Sequence, residues 1–506
     1  AMTRRIGKIA VIIMAVFALT FTGMLSAQEK LPGNVAITFA HTNDMHGRIV
    51  ESSDVIGFPK IYSAVQQLKA ANPNTLLIDA GDTFHGLPVV NIDKGETAVK
   101  LMNELGYTYM TTGNHDYNYG FDRLIELSKM AKFKILAANV YKDGERVFPA
   151  YDIRDIGGVR VAFFGLATPE TAYKADPKGI EGVTFGDPIV EAKLIVAELA
   201  GKYDLLVCIS HIGIDDSSDP TSITIAKFVP QIDVIIDGHS HSTLEDIEKK
   251  NTTDTLITST GSYGAGLGVV DIVISPDRKV VSKTARTITP KNSPDLKGDP
   301  AIAKALDDLV KAQEAVLSQV VGRTEIKLEG TREIVRTQQS NLGTLIANSM
   351  LYATGADFAL MNGGGIRDSI PVGNITMKQI YTVQPFGNFI QTGKVLGKEI
   401  DAILENGVGK LPAPDGRFPH VANLTYTLDA SKPAGDRVSN IMIGGEPIDP
   451  EKEYTIATLN FIFNGGDDYR MLVGKAQNDY PTDAEVFMAY IKYLGTITND
   501  NIVFKK

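Results

Sequence analysis

The stretch YTYMTTGNHDYNYG, residues 107–120, decides how this chain reads. A short apolar run with aromatic residues gives way to Asn114, His115, Asp116 and Asn118, held between Gly113 and Gly120. The amphipathic stretch GFDRLIELSKMAKF (120–133) then begins. The same form recurs in VAITFAHTNDMHG (35–47), TLLIDAGD (75–82), DLLVCISHIG (204–213) and IDVIIDGHSH (232–241). Each is an apolar, β-branched run that ends in a polar cluster beside a glycine. Runs of this kind read as buried strands, and stretches such as FPKIYSAVQQLKA (58–70) between them read as helices. Alternating strands and helices predict an α/β layer fold, in which polar loops at the carboxyl ends of strands bind ligands.

The eight histidines follow the same pattern. All but His420 precede residue 245, and His41, His46, His115, His211, His239 and His241 sit in the strand-end clusters. Asp44 and His46 alternate and can aim at one point. With Asp82, Asn114, His211, His239 and His241 they make two carboxylates, one amide and four imidazoles. That is more than one tetrahedral ion takes and suits two divalent ions, with a carboxylate such as Asp82 able to bridge them. Mixed nitrogen and oxygen donors without thiolate suit Zn, Mn or Co. His41 and His85 are not needed for the donor set and are expected to support their neighbours.

The bulk properties set limits around this core. A chain of 506 residues, 43% hydrophobic, supports two or three domains. A net charge of −10 argues against a nucleic-acid polymer or an anionic membrane surface as partner. The single cysteine, Cys208, lies in an apolar run, which excludes an intrachain disulfide framework and predicts a small buried hydrophobe. Arg4, Arg5 and Lys8 precede the apolar run 9–25 and the polar SAQEK, a pattern that predicts an export signal over residues 1–27, cleaved near Ala27. The alternative is that this run remains as an uncleaved N-terminal anchor.

The ordered motifs HTNDMHG, GD, GNHD, SHIG and GHSH resemble the calcineurin-like metallophosphoesterases, and more narrowly the secreted 5′-nucleotidases and UDP-sugar hydrolases. The resemblance covers the chain after its leader. It implies a four-layer α/β/β/α domain over residues 31–295, with one metal on Asp44, His46, Asp82 and His241. The second metal would sit on Asp82, Asn114, His211 and His239. It also implies that His115 is the catalytic histidine and that residue 118 orients it. There the family usually has Asp; Asn118 can hydrogen-bond but carries no charge, so a lower His115 pKa than the family norm is expected. The GNHDYNYG pattern also resembles the related 2′,3′-cyclic-nucleotide phosphodiesterases with 3′-nucleotidase activity.

Beyond residue 295 the pattern changes. Ile302, Leu306, Leu309, Ala312, Val316 and Val320 recur at helical spacing, which predicts one amphipathic linker helix within 296–325. A smaller α+β domain over 326–506 would follow, with glycine-rich MNGGGIRDS (361–369) and NFIFNGGDDYR (460–470). Phe386 and Phe461 can supply a flat clamp for a base, and Arg332, Arg336 and Arg367 can supply planar cations for phosphate. Their order and spacing resemble the 5′-nucleotidase C-terminal domain, which implies that Asn362 touches the base and Asp467 the ribose. The expected activity is hydrolysis of nucleoside 5′-monophosphates and of UDP-sugars. The cyclic-nucleotide activity is the alternative. A non-catalytic nucleotide-binding protein predicts damaged ligand motifs, whereas all seven donors and His115 are present. Contacts split between two domains also predict a closure or rotation about residues 295–325 during turnover.

Overall fold

The β-branched runs fold as expected into strands covered on both faces. The computed structural model describes residues 28–503, so the leader expected over residues 1–27 lies outside the described residues. Six strands form a first sheet in the order Val280–Ile288, Leu267–Ile274, Val35–Thr42, Thr75–Asp79, Tyr107–Met110, Lys134–Ile135. Five form a second: Leu256–Thr258, Val234–Ile236, Leu205–His211, Val159–Ala167, Tyr151–Ile156. Within each sheet the strands that end in polar clusters run parallel, so their carboxyl ends share one edge.

The two sheets pack face to face through Ile37, Phe39, Ile78, Phe163, Val207 and Ile209, with the Phe39 and Phe163 rings edge to face at 5.5 Å. The outer face of the first sheet is covered by helices Gly57–Ala71, Glu96–Leu105 and Phe121–Met130. Helices Pro188–Glu198, Ser222–Phe228 and Leu244–Lys250 cover the second sheet. This is the four-layer α/β/β/α arrangement, and Cys208, on the strand Leu205–His211, lies buried between the second sheet and its helices, its thiol pushed up by that burial.

The segment after residue 295 departs from the sequence reading. A helix does start at Pro300, where the Asp299 side chain accepts from the N–H groups of Ala301 and Ile302. It stops at Ala312, a short helix Glu314–Leu317 follows, and Val320 opens the strand Val320–Thr324. The pair Val320–Val321 followed by Gly322 favours a strand, and Gly322 lets that strand lie close to Ile491. Ile302 and Leu306 pack into the core of the first half. Buried Gln313 donates to Val89 O at 2.7 Å and to Thr97 Oγ1 at 3.1 Å. A separate core begins at Val321 and continues to Ile497. It surrounds a mixed five-stranded sheet ordered Pro419–Ala422, Phe358–Asn362, Glu453–Leu459, Phe389–Leu396, Ala476–Thr482. Helices Asn341–Thr354 and Asp483–Leu494 pack with this core, giving the smaller α+β part.

Candidate active site

The turns that follow the parallel strands are strained. Asp44, His46, Asp82, His239 and His241 all have positive φ, from 45° to 78°. For residues with a side chain this costs about 1–3 kcal/mol each and persists only where surrounding structure imposes it. Here the imposition is visible. Asp44 N–H donates to Gly81 O at 2.9 Å and His46 N–H to Asp82 O at 3.0 Å. The buried Asp116 carboxylate accepts from the N–H groups of Asp82, Thr83, Phe84 and Gly113 at 2.8–3.1 Å. It thus ties the two central turns together. Gly113 is required by closeness: a Cβ there would lie 2.1 Å from Asp82 Oδ1.

These turns bring five of the seven expected donors into two close groups, which Asn114 and His239 do not join. The donor atoms of Asp44, His46 and His241 lie within 4.8 Å of one another, as do those of Asp44, Asp82 and His211. Asp82 Oδ2 is 3.1 Å from His211 Nε2 and 3.7 Å from His46 Nε2. His211 Nδ1 donates to Ala80 O at 2.6 Å and His46 Nδ1 to His85 O at 3.2 Å, which leaves Nε2 of each ring facing the carboxylates. Asn114 Nδ2 donates to Lys174 O at 2.6 Å, turning its Oδ1 inward. Those three inward atoms, His46 Nε2, His211 Nε2 and Asn114 Oδ1, are buried without a hydrogen-bond partner among the described residues. Buried polar atoms are otherwise almost always paired, so this donor set fits divalent cations. Burial opposes charge on Asp44 and His211, yet attraction wins. The imidazoles of His211 and His241 hold Asp44 down at about 2, and the carboxylates of Asp82 and Asp44 raise His211 to about 10.

His239 stands slightly apart. Its Nε2 is 2.7 Å from Glu170 Oε2, and its ring centroid is 5.1 Å from that of His211. His41 is fully buried between the sheets, with Nε2 accepting from Thr258 Oγ1 at 3.2 Å. Desolvation lowers its pKa to about 3, and it takes no place in the donor groups. His85 joins the two halves of the molecule, its Nε2 2.5 Å from Glu485 Oε1.

His115 lies on a 3₁₀ turn, His115–Tyr117, with its N–H donating to Asp82 Oδ1 at 2.8 Å. Asn118 Oδ1 accepts from Asp176 N–H at 3.1 Å, so its Nδ2–H faces Nδ1 of His115 at 2.9 Å. Asn118 therefore orients the His115 ring through Nδ1, leaving Nε2 facing the cavity. That Nε2 is 3.2 Å from Asp479 Oδ2, and Phe389 stacks on the ring at 3.8 Å. Burial works against an imidazolium, but the carboxylates of Asp82 and Asp479 outweigh it and raise the pKa. The lower pKa expected from Asn118 is therefore not what this arrangement gives, because Asp82 and Asp479 both face the ring.

Of the residues expected to hold a nucleotide, Arg336, Asn362, Phe386, Phe461 and Asp467 line a second cavity of about 600 Å³, and Arg332 and Arg367 do not. Phe386 and Phe461 flank it and are 44% and 41% exposed, high for phenylalanine. The Arg367 guanidinium lies 5.4 Å from the Phe386 ring centroid. Burial, then the neighbouring charges of Arg332 and Arg367, lower the pKa of Arg336. Arg417 and Arg470 pair with Asp415 and Asp468. Arg332, Arg336 and Arg367 form no ion pair among the described residues. Asn362 Nδ2 donates to Asp467 Oδ2 at 2.8 Å, so in this arrangement the amide is held by the acid expected to take the ribose. The cavity of the metal donors is separate, about 420 Å³, and is roofed by Phe389, Gln391 and Asp479.

Two sheets whose strand ends present carboxylate, imidazole and amide donors to a divalent cation define a metallophosphoesterase. Comparison with known families agrees: residues 37–243 match the calcineurin-like phosphoesterase model and residues 320–474 the 5′-nucleotidase C-terminal domain model. A 5′-nucleotidase of Vibrio vulnificus is 31% identical over 93% of this chain and 93% of its own. Protein UshA of Escherichia coli is 30% identical over 96% of this chain and 95% of its own. The crystal structure of a 5′-nucleotidase precursor from Thermus thermophilus, 32% identical, superposes with a TM-score of 0.55 over 92% of this chain and 97% of that one. The chain belongs to the 5′-nucleotidase family of calcineurin-like phosphoesterases, and is a metal-dependent phosphoric monoester hydrolase.

Several residues at the site carried no sequence signal. Glu170 in TPETAYK and Asp479 in AQNDYPTD lie outside any strand-end cluster. Arg48, which lines the Phe386–Phe461 cavity from the first half and donates to Phe386 O at 3.3 Å, lies two residues beyond His46 but in no pattern of its own. Asn388 lines the same cavity. It stands inside the PFGN stretch, and the phenylalanine two residues before it was the only pointer.

Proposed function

We propose that this protein is an exported enzyme that hydrolyses nucleoside 5′-monophosphates to nucleoside and phosphate, and that it also accepts UDP-sugars. The observation that carries the reading is the exposed Phe386–Phe461 pair around a cavity of nucleotide size, with three unpaired arginines beside it. An aromatic clamp takes any base face, and planar guanidinium groups take phosphate oxygens. Asn362 and Asp467 serve the base and ribose. Asp44, His46, Asp82, Asn114, His211, His239 and His241 would hold two divalent ions, Zn, Mn or Co. Such ions supply Lewis acidity toward a phosphoryl oxygen and lower the pKa of water.

His115 donates its Nε2 proton to the phosphoryl group or the leaving oxygen, with Asn118 fixing the ring. Since the clamp and the donor cluster line separate cavities, a nucleotide held between the phenylalanines reaches the donors only after the two halves move. The movement would turn about the segment 295–325, in which the helix Pro300–Ala312 packs on the first half.

Asn118 favours a second reading, 2′,3′-cyclic-nucleotide phosphodiesterase with 3′-nucleotidase activity, because it stands where the 5′-nucleotidases usually carry Asp. One assay separates the two. Protein lacking residues 1–27, loaded with Mn²⁺ or Co²⁺, is offered 5′-AMP, 3′-AMP and 2′,3′-cyclic AMP in parallel. Preference for 5′-AMP is expected; preference for the other two substrates establishes the second reading. Silence on all three, with metal bound, supports a non-catalytic nucleotide binder.

A further inference from the structure

Each imidazole in the donor cluster needs one ring nitrogen held so that the other can face a cation. His46 and His211 use backbone carbonyls for this, both through Nδ1. His239 is held the other way round: its Nε2 meets the side-chain carboxylate of Glu170 at 2.7 Å, which leaves Nδ1 for the cation. His241 has no such support; its Nε2 is 3.4 Å from Asp44 Oδ1, and its side chain is 35% exposed. We infer that Glu170 is a positioning residue for the metal centre, fixing His239 and strengthening it as a ligand through a carboxylate–imidazole contact. This rests on the ligand set proposed above.

Glu170 is built into place. It sits on the turn Pro169–Ala172 directly after the strand Val159–Ala167, and its N–H donates to the Thr168 hydroxyl at 3.1 Å. It is 5% exposed, and Lys174 Nζ meets the same carboxylate oxygen at 2.7 Å. A charged acceptor makes the imidazole a stronger donor than a neutral carbonyl does. The same segment also serves Asn114, whose Nδ2 donates to Lys174 O at 2.6 Å. Residues 168–174 therefore orient two of the four donors proposed for one ion, and neither residue 170 nor 174 is itself a ligand.

The test is metal binding by metal-free protein, read by calorimetric titration with Co²⁺ and by the visible absorption of the Co²⁺ form. Wild type should bind two ions per chain. Glu170→Ala should weaken one of the two by 10–100-fold and alter its absorption band, leaving the other unchanged. Glu170→Gln, which can still accept from Nε2–H, should fall between. Thermal melting of each metal-free variant tests folding, and Glu170→Gln carries the comparison where Glu170→Ala fails to fold. Wild-type affinity and spectrum in both variants overturns the inference. His239→Ala separates the two levels. If it loses one ion while both Glu170 variants lose none, the inference alone fails; if it too keeps both ions, the ligand set fails with it.

Discussion

Asp479 Oδ2 lies 3.2 Å from Nε2 of His115, joining the second half of the chain to the strand-end cluster of the first. Asp479 is itself held there by Gln391 Nε2, which donates to Oδ1 at 2.8 Å, and by its own N–H, which donates to Tyr173 O at 3.1 Å. A carboxylate on that nitrogen competes with a phosphoryl oxygen for the same proton, and like charges repel. Asp479→Asn is expected to lower KM for a phosphomonoester several-fold, with kcat within about threefold of wild type. A fall in kcat of about 100-fold would instead make Asp479 the working carboxylate partner of His115. Steady-state kinetics decides.

His115 belongs to neither group of close donor atoms, and its ring is oriented by Asn118. His115→Ala should lower kcat by about 10²–10⁴-fold, the usual worth of general acid–base catalysis, with metal content unchanged. Activity and metal analysis on the same sample test both halves of the statement.

Phe386 and Phe461 are both substantially exposed, so their removal opens no core cavity. Base–aromatic stacking is worth about 1–3 kcal/mol, so Phe386→Ala or Phe461→Ala should raise KM for a nucleotide by roughly 5–150-fold. Hydrolysis of p-nitrophenyl phosphate, which has no base to clamp, should be nearly unaffected. Equal losses on both substrates argue against the clamp.

A disulfide joining the segment 84–87 to the segment 386–389 should stop nucleotide turnover while leaving metal content intact, and reduction should restore it. The two segments already touch, since a Cβ on Gly387 would lie 2.8 Å from Gly86 O. The native Cys208 is buried away from this contact. Full turnover in the oxidised form removes the need for domain movement.

His420 predicts a pH dependence of stability in the second half. Its Nε2–H donates to Val335 O at 2.7 Å, and its Nδ1 accepts from Ser340 N–H at 3.2 Å. Burial lowers its pKa from 6.5 to about 4, with the bond to Val335 opposing the shift. Between those values the unfolded chain binds the proton that the folded chain refuses. Stability is therefore fully present above pH 6.5 and is lost as pH falls toward 4, by roughly 3 kcal/mol in all. Ser340 caps the helix Asn341–Thr354, so the loss should appear in that half. Urea unfolding of wild type and His420→Asn at several pH values checks it; an equally steep acid loss in the variant removes the assignment to His420.

The strand-end clusters were legible because strand, turn and donor lie within a few residues of one another. Apolar runs such as TLLIDAGD contain both the element that positions Asp82 and Asp82 itself. The layered fold could be read from such local patterns, and so could the close grouping of Asp44, His46, Asp82, His211 and His241. Val316 does lie in a helix, Glu314–Leu317, after the break at Gln313, but pairing of Val320–Thr324 with Gly373–Thr376 took Val320 into a strand despite its helical spacing. Intrinsic spacing yields to a ladder formed with a distant segment.

The sequence by itself determined which side chains could meet a cation and a nucleotide. The tertiary structure decided what surrounds them: Glu170 on His239, Asp479 on His115, Glu485 on His85 and Arg48 on Phe386 O. In each pair the partners are separated by 69 to 400 positions. No local pattern records a contact of that range, because it arises only when the sheets, the turn at 169–172 and the two halves pack together. The same packing sets Phe386 and Phe461 in one cavity and His46, Asp82 and His239 in another.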